Sequence, residues 1–508
     1  MKFSIRLFPE ITIKSRPVRK RLIQRLQSNL QNMTRRIDEQ IKVRGHWDKL
    51  DVVCEGADAD VVAQVVDLMQ RTPGIHSFVE VTEYPLGDFH DIYEKAHAIY
   101  ADELRGKTFK VRVKRSGKHE FRSIDVERYV GGGLNQHSEA LGVDVHKPDL
   151  YVDLEIRQDK LHVVTNTYKG LGGFPLGTQE ATLSLISGGF DSIVASYMSM
   201  RRGCKTHFLF FNLGGHAHEI GVKQVALYLW QRYGSSARVK FITIPFDEVI
   251  GEILQSVHHS HMGVVLKRMM MRAGEKVSDR MGIDALVTGE SIAQVSSQTL
   301  PNLAIIDAAT EKLVVRPLVT MDKQDIIDIT REIGAYDFAK NMPEYCGVIS
   351  DRPTTCAKKD RVEKEELDFD YEVLERALER RQVISIDEII EDVNVHAEVE
   401  ALTKVGPNQV VVDIRAPHEQ EKKPLNLPGC EIQLVPFFAL AAASDEFSEE
   451  KEYLLYCEKG VMSQMHAHQM QERGIRFIRL CDQVGTFTQL RIGAGRQHLA
   501  ANPKRKEA

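Results

Sequence analysis

LSLISGGFDSIVA, Leu183 to Ala195, decides the fold. A strand-like apolar run enters Ser187-Gly188-Gly189-Phe190-Asp191-Ser192, and an apolar, helix-like stretch then resumes. Adjacent glycines weaken a strand end, so their position calls for a compensating role. A glycine-rich turn between a parallel strand and a helix presents bare backbone N–H groups beside the positive end of the helix dipole. That combination binds phosphate. Ser187 and Ser192 add hydroxyl donors. The chain contains no GxxxxGK[ST] sequence, so this is not a Walker A loop.

Outward from the loop, strand-like and helix-like segments alternate. THFLFFN precedes EIGVKQVALYLWQRYG, VKFITI precedes DEVIGEILQSV, and ALVTGE follows GVVLKRMMMRAGEKVSDRMG. The alternation predicts an α/β domain with a doubly wound parallel sheet over 178–356. GLGGFPLGTQ (Gly170–Gln179) reads as a glycine/proline linker ahead of it. The chain before that linker predicts α+β modules over 1–60 and 61–168. VRKRLIQRLQSNL places Val18, Leu22, Leu26 and Leu30 at helical spacing and Arg19, Lys20, Arg21 and Arg25 elsewhere on the helix. TFKVRVKRS alternates, with Lys110, Arg112 and Lys114 on one strand face and Phe109, Val111 and Val113 on the other. YVGGGLNQHS reads as a glycine-rich bend, and DLYVDLEIRQDKLHVVTNTYKG as two strands about a turn near Gln158–Lys160. Beyond the central domain, 357–403 reads as an acidic linker, 404–490 as a smaller α/β unit, and 491–508 as a polar tail.

The 508 residues exceed one hydrophobic core. The net charge of −5 hides strong segregation. Residues 1–45 carry 12 Lys/Arg against 3 Asp/Glu, residues 105–122 carry 8 against 1, and residues 360–400 carry 5 against 15. Clustered positive charge marks a polyanion-binding surface, with Arg19, Lys20, Arg21, Lys110, Arg112 and Lys114 as candidate RNA contacts. Seven cysteines without CxxC spacing exclude a disulfide scaffold and a structural zinc site, fit a reducing cytoplasm, and give no grounds for a fixed metal. No segment is apolar for long enough to predict a membrane span. His258, His259 and His261 in SVHHSHMG, and His216 and His218 in GGHAHE, read as polar loops. Cys54, Cys204, Cys356, Cys430 and Cys481 read as packing residues.

Two cysteines stand apart. LLYCEKGVMSQMHAHQM places Cys457 at a strand end, before a loop with Gly460 and Ser463 and a following helix, where a thiolate would face backbone N–H groups. NMPEYCGVIS places Cys346 just after the last helix of the central domain.

The SGGxDS loop resembles that of ATP pyrophosphatases, which split ATP between its α and β phosphates. The Cys457 loop, with DIRAPHE and LPGCEIQLVPF upstream, resembles a rhodanese domain. Met462 stands where such loops often carry arginine, which argues against cyanide or thiosulfate turnover. Taken in order, KFSIRLFPEITIKS, the basic region, SGGFDS, PEYCGVIS and YCEKGVMS resemble the bacterial tRNA 4-thiouridine synthetases, a family of tRNA sulfurtransferases, in their long form.

The resemblance implies a ferredoxin-like subdomain, a THUMP domain, a PP-loop ATP pyrophosphatase domain and a C-terminal rhodanese-like domain. It implies ATP contacts at Leu185, Ile186, Ser187, Gly188, Gly189, Asp191, Ser192, Lys267, Gly289 and Gln298, with Asp191 handling magnesium or pyrophosphate. It implies that Cys457 carries a persulfide received from a cysteine desulfurase. Uridine, expected at position 8 of tRNA, is adenylated and thiolated, and Cys346 closes a disulfide with Cys457 that a reductant reopens. The acidic segment would be the hinge. A sulfur-carrier protein of thiamine thiazole synthesis is an implied second partner, and a homodimer stays open. Another PP-loop thiolase, or a tRNA-binding sulfur relay without adenylation, remains the alternative.

Overall fold

The computed structural model describes residues 1–46, 49–213, 215–340, 342 and 352–389. Between 401 and 481 it describes 401–402, 408–415, 420–421, 423–427, 430–436, 440–444, 447–448, 451–457, 463, 466–467, 470 and 478–481. The chain divides into two compact units, Met1–Thr182 with Tyr197–Thr206 and Trp230–Ala237, and Leu183–Ser196 with His207–Leu229 and Arg238–Ala508.

The first unit runs β1 (Lys2–Leu7), α1 (Pro9–Thr12), α2 (Arg16–Thr34), β2 (Lys42–Gly45), β3 (Lys49–Val53), α3 (Ala59–Gln70), β4 (Ile75–Pro85), α4 (Phe89–Tyr100), β5 (Thr108–Ser116), α5 (Ser123–His137), β6 (Gly142–Val143), β7 (Leu150–Arg157) and β8 (Lys160–Lys169). One eight-stranded sheet, ordered β2-β3-β1-β4-β8-β7-β5-β6, joins two cores. The first core gathers Phe3, Leu26, Leu30, Val65, Met69 and Phe78, and the second gathers Ile92, Phe109, Val111, Val130 and Leu154. The first core therefore extends past residue 60 through α3 and into β4, because β4 pairs with β1 as well as β8. Leu22, Leu26 and Leu30 are buried as their spacing predicts, whereas Val18 in the first turn is exposed.

YVGGGLNQHS is not a bend. It lies in α5, which begins where the Asp125 carboxylate accepts the Arg122 backbone N–H at 2.9 Å. Gly133 serves packing: a Cβ there would sit 2.5 Å from the Tyr93 ring of α4. The glycine/proline stretch after β8 is fastened rather than loose. Gly172 N–H donates to Ile75 O at 2.7 Å, Phe174 N–H to Arg201 O at 3.0 Å, and Gly177 N–H to Gly203 O at 2.8 Å.

The second sheet has six strands. Its elements are β9 (Gln179–Leu185), α6 (Phe190–Arg201), β10 (Cys204–Asn212), α7 (Gly215–Leu229), β11 (Lys240–Pro245), α8 (Asp247–Ser256), α9 (Met262–Met281), β12 (Ala285–Val287), α10 (Leu300–Asp307), β13 (Leu313–Val315), α11 (Lys323–Glu332), α12 (Tyr336–Lys340), α13 (Lys359–Glu366), α14 (Glu372–Glu379) and β14 (Gln382–Ser385). The order is β13-β12-β9-β10-β11-β14. β9 lies between β10 and β12, so strand order reverses there. Ligands of open α/β sheets bind at the carboxyl ends of strands beside such a reversal.

The acidic segment departs from the linker expectation. Residues 359–389 are folded, with Val362, Phe369, Leu374, Leu378, Ile386 and Ile389 buried, and β14 pairs antiparallel with β11. Its carboxylates meet a basic stripe on α9. Arg268, only 2% exposed, grips Glu366 at 2.5 and 2.8 Å; Arg272 reaches Glu366 at 2.9 Å, and Lys276 pairs with Glu375. Burial would raise the Glu366 carboxyl, but the two guanidinium groups outweigh it and hold it below its ordinary value. Residues 390–400 lie outside the described residues.

A further sheet, β15 (Ala401–Leu402), β16 (Gln409–Asp413), β17 (Glu431–Leu434), β18 (Glu452–Tyr456) and β19 (Ile478–Cys481), has the order β15-β19-β18-β16-β17. All its described pairings are parallel.

Candidate functional site

The SGGFDS loop leaves the carboxyl end of β9 and starts α6. Gly188 has φ +82°, in the left-handed region that a side chain rarely adopts. The buried Ser192 hydroxyl donates to Gly189 O at 3.1 Å and accepts the Ser187 backbone N–H at 3.2 Å. Ser192 therefore shapes the loop from inside, while Ser187 is exposed. Ile186 is buried, and Leu185 is half-buried.

Gly289 follows β12 across the strand reversal. A Cβ there would lie 2.5 Å from the Asp191 carbonyl carbon and 2.7 Å from Ser192 N. Only glycine lets the end of β12 approach the first turn of α6. The Asp191 carboxylate receives Lys323 Nζ at 2.9 Å on each oxygen and Gln294 Nε2 at 2.9 Å. It is thus half of an ion pair, with Lys323 presenting positive charge beside the loop. Lys267 meets the buried Glu290 at 2.6 Å, and Arg316 holds the other Glu290 oxygen at 2.9 Å while also gripping Asp307. Burial would raise the Glu290 carboxyl, yet Lys267 and Arg316 together hold it below its ordinary value. Gln298 is buried, and its Oε1 has no hydrogen-bond partner among the described residues. Such an atom fits a polar ligand that supplies a donor, as the amino group of adenine does.

GGHAHE is not merely a polar loop. His218, in the first turn of α7, is buried edge-on to Phe210, and its Nε2 lies 3.2 Å from the Ser187 carbonyl oxygen. Burial pushes its imidazole below the ordinary value. Sequence reasoning singled out neither Lys323 nor Gln294, and read His218 only as part of a polar loop. Their signal would have been position alone, after the carboxyl ends of β10 (His218), β12 (Gln294) and β13 (Lys323).

Cys457 directly follows the interior strand β18 and is buried. Ser463 N–H points at its Sγ from 3.3 Å, and Ser463 Oγ lies 3.4 Å away. The N–H donates to the sulfur and the hydroxyl can donate to a thiolate, an arrangement suited to negative charge there. Beneath it, Asp413 and Arg415 form a buried bidentate pair at 2.9 and 2.6 Å, with the guanidinium 5.2 Å from the Tyr456 ring centroid. Cys346 lies outside the described residues, as do Gly460 and Met462.

Comparisons with known proteins follow the same division. The ThiI ferredoxin-like domain matches residues 2–79, the THUMP domain residues 87–166, and the family described as thiamine biosynthesis protein (ThiI) residues 177–371. The chain is 54% identical over 480 residues to a tRNA sulfurtransferase of Pseudomonas putida, covering 94% of this chain and 99% of that protein. It belongs to the tRNA sulfurtransferase family. Another relative of that name, from Saccharophagus degradans, is 51% identical over 93% of this chain and 98% of its own length. Among solved structures, a 4-thiouridine synthetase–RNA complex with bound ATP superposes with TM-score 0.67 at 25% identity, covering 76% of this chain and 99% of that one.

In this tRNA sulfurtransferase family member, the expected basic residues divide into two kinds. Lys20 and Arg21 on α2 and Lys114 on β5 are exposed. Arg19 donates to Thr12 O at 3.2 Å, and Lys110 to Val145 O at 3.1 Å. Arg112 is held bidentately by Asp153 and lies 4.5 Å from the Tyr151 ring centroid, so much of its charge is already answered. The histidine cluster at 258–261 is partly structural, since His261 Nδ1 meets Glu365 at 2.8 Å. Cys356, expected to pack, is exposed. No described helix is long and apolar enough to cross a membrane.

Proposed function

We propose that this chain transfers a persulfide sulfur to a uridine of tRNA, giving 4-thiouridine, in an ATP-dependent reaction. The carrying observation is the Gly188–Gly189 turn at the strand reversal, closed by Gly289 and flanked by the Asp191–Lys323 pair. The similar structure whose name includes bound ATP and RNA supports the same reading. ATP with Mg²⁺ is the substrate at this loop, and the uridine is the expected position 8.

The uridine O4 attacks the α phosphate and pyrophosphate leaves, making O4 part of a good leaving group. The terminal sulfur of the Cys457 persulfide, supplied by a cysteine desulfurase, attacks C4 and expels AMP. The Cys346 thiolate attacks the Cys457 sulfur, releasing the thiouridine sulfur and forming the Cys346–Cys457 disulfide. A two-electron reductant restores both thiols. The smaller parallel sheet with its buried Asp413–Arg415 pair and Cys457 after β18 supports a rhodanese-like module for the persulfide. The segments 1–60, 61–168, 178–356 and 404–490 then divide as RNA-holding, RNA-holding, adenylating and sulfur-carrying, with the first boundary moved later by the shared core. The family description as a thiamine biosynthesis protein favours a second role, sulfur transfer to the carrier protein of thiazole synthesis, for which the Cys457 module would suffice.

The test is Asp191→Ala with ATP, tRNA and a persulfide donor, read by mass spectrometry of tRNA nucleosides. Loss of 4-thiouridine with tRNA binding intact is expected. Undiminished 4-thiouridine would reduce the protein to a sulfur relay and sink the adenylation step.

A further inference from the structure

Three residues on α7 form one i, i+3 row: His218, Gly221 and Gln224. The first touches the phosphate loop through Ser187 O. The second packs against Met342, whose Cε would lie 3.0 Å from a Cβ on Gly221 and 2.5 Å from one on Gly188. The third, buried Gln224, places its Nε2 3.1 Å from Nε2 of His466, a residue 242 positions later. Residues 463, 466, 467 and 470 are helical and all buried, with the i, i+3, i+4, i+7 spacing of a single helix face. Ser463 on that face contacts Cys457 Sγ.

We propose that the Gln224–His466 contact is the latch that seats the Cys457-bearing module on α7, and that sulfur is delivered from this seated arrangement. The proposal rests on the sulfur-transfer reading above. Its physical basis is the cost of separating a buried polar pair. The Gln224 amide donates to the imidazole lone pair, and sliding the module by one residue would leave both groups buried without each other. Burial pushes His466 down to about 4, so the ring is neutral and keeps that lone pair at neutral pH. The geometry also favours delivery over storage. The row that ends at the latch begins at the phosphate loop and passes Met342, four residues before Cys346 in the sequence.

The experiment compares Gln224→Ala, His466→Ala and the double variant with the parent in single turnover, starting from enzyme loaded with persulfide on Cys457. Three quantities are read: persulfide loading by a desulfurase, AMP release with tRNA, and appearance of 4-thiouridine. Each single variant should slow 4-thiouridine appearance about tenfold, the loss of one net buried hydrogen bond. The double variant should be no slower than the singles, and loading and AMP release should match the parent. His466→Gln, which restores an amide partner, should recover part of the rate. If His466→Ala fails to load, its module has misfolded, and Gln224→Ala, on the other partner, decides. Unchanged delivery in Gln224→Ala, or additive losses in the double variant, would overturn the latch. A parent that releases AMP but never delivers from Cys457 would instead overturn the sulfur-transfer reading.

Discussion

Replacing Glu366 with alanine separates two pictures of the acidic segment. In a solvated tether the change costs almost nothing. In the structure, Glu366 and Arg268 side chains are 5% and 2% exposed, and Glu366 also answers Arg272. Its removal strands the Arg268 guanidinium in the interior. Breaking a buried pair from one side costs about 3–5 kcal/mol. Arg272 is 31% exposed and can turn to water, so the lower end, about 3 kcal/mol, is expected. For a domain of this size that lowers the melting temperature by roughly 6–12 °C. Calorimetric scans of the full chain should show the shift in the transition of the ATP-binding domain. Glu372→Ala is the control: that side chain is 86% exposed, and its change should stay within about 0.5 kcal/mol. The pH dependence has a definite sign. The Glu366 carboxyl is held low in the folded state, so its contribution is present above the unfolded carboxylate value and lost as pH falls through the folded one. The gap between parent and Glu366→Ala should therefore narrow on acidification. A Glu366→Ala scan that coincides with Glu372→Ala at neutral pH would refute the packed picture.

Three further outcomes are expected. Lys323→Ala removes the cation on Asp191 and should lower AMP release about 100-fold, as loss of one charge-stabilising donor does, while tRNA binding measured by filter retention is unchanged. Gly289→Ala forces a Cβ against the Asp191 backbone, and the loop must move. ATP turnover should fall at least about tenfold, with a stability loss of about 1–3 kcal/mol in thermal scans. Lys114→Ala should reduce the slope of log K against log salt for tRNA by about 1, whereas Arg112→Ala, already paired with Asp153, should change it less.

The central sheet was legible because its strands are short apolar runs bounded by helix-period segments, and the loop after β9 has no other economical explanation. What escaped reading was governed by partners far along the chain. Three glycines in α5 look like punctuation, yet all lie within the helix, and one of them, Gly133, lets α5 lie against Tyr93 of α4. The acidic run looks solvated until Arg268, Arg272 and Lys276 are noticed at intervals of four on α9, a stripe visible in the sequence but without a direction until the fold supplies one. Lys323 lies in MDKQDI, which carries no motif; only the fold, which brings the start of α11 to the start of α6, makes it the partner of Asp191.

The pairing of charges around the loop constrains how it can hold a triphosphate. Lys267, Arg316 and Lys323 face Glu290, Asp307 and Asp191, three cations against three carboxylates. That set has no net charge to attract an anion. Among the described residues, the attraction comes from the backbone N–H groups of Gly188–Ser192 at the start of α6, since the Ser187 N–H is already spent on Ser192, which is why glycine at 188, 189 and 289 matters more than any single lysine for binding. The lysines serve a different purpose. Each is held in place by a carboxylate, so in the proposed adenylation its charge is already positioned for negative charge growing on a departing pyrophosphate, and no reorganisation is needed at that moment. Binding and turnover then depend on separate groups, so losses of loop glycines should appear in ATP affinity and loss of Lys323 in the rate of AMP release.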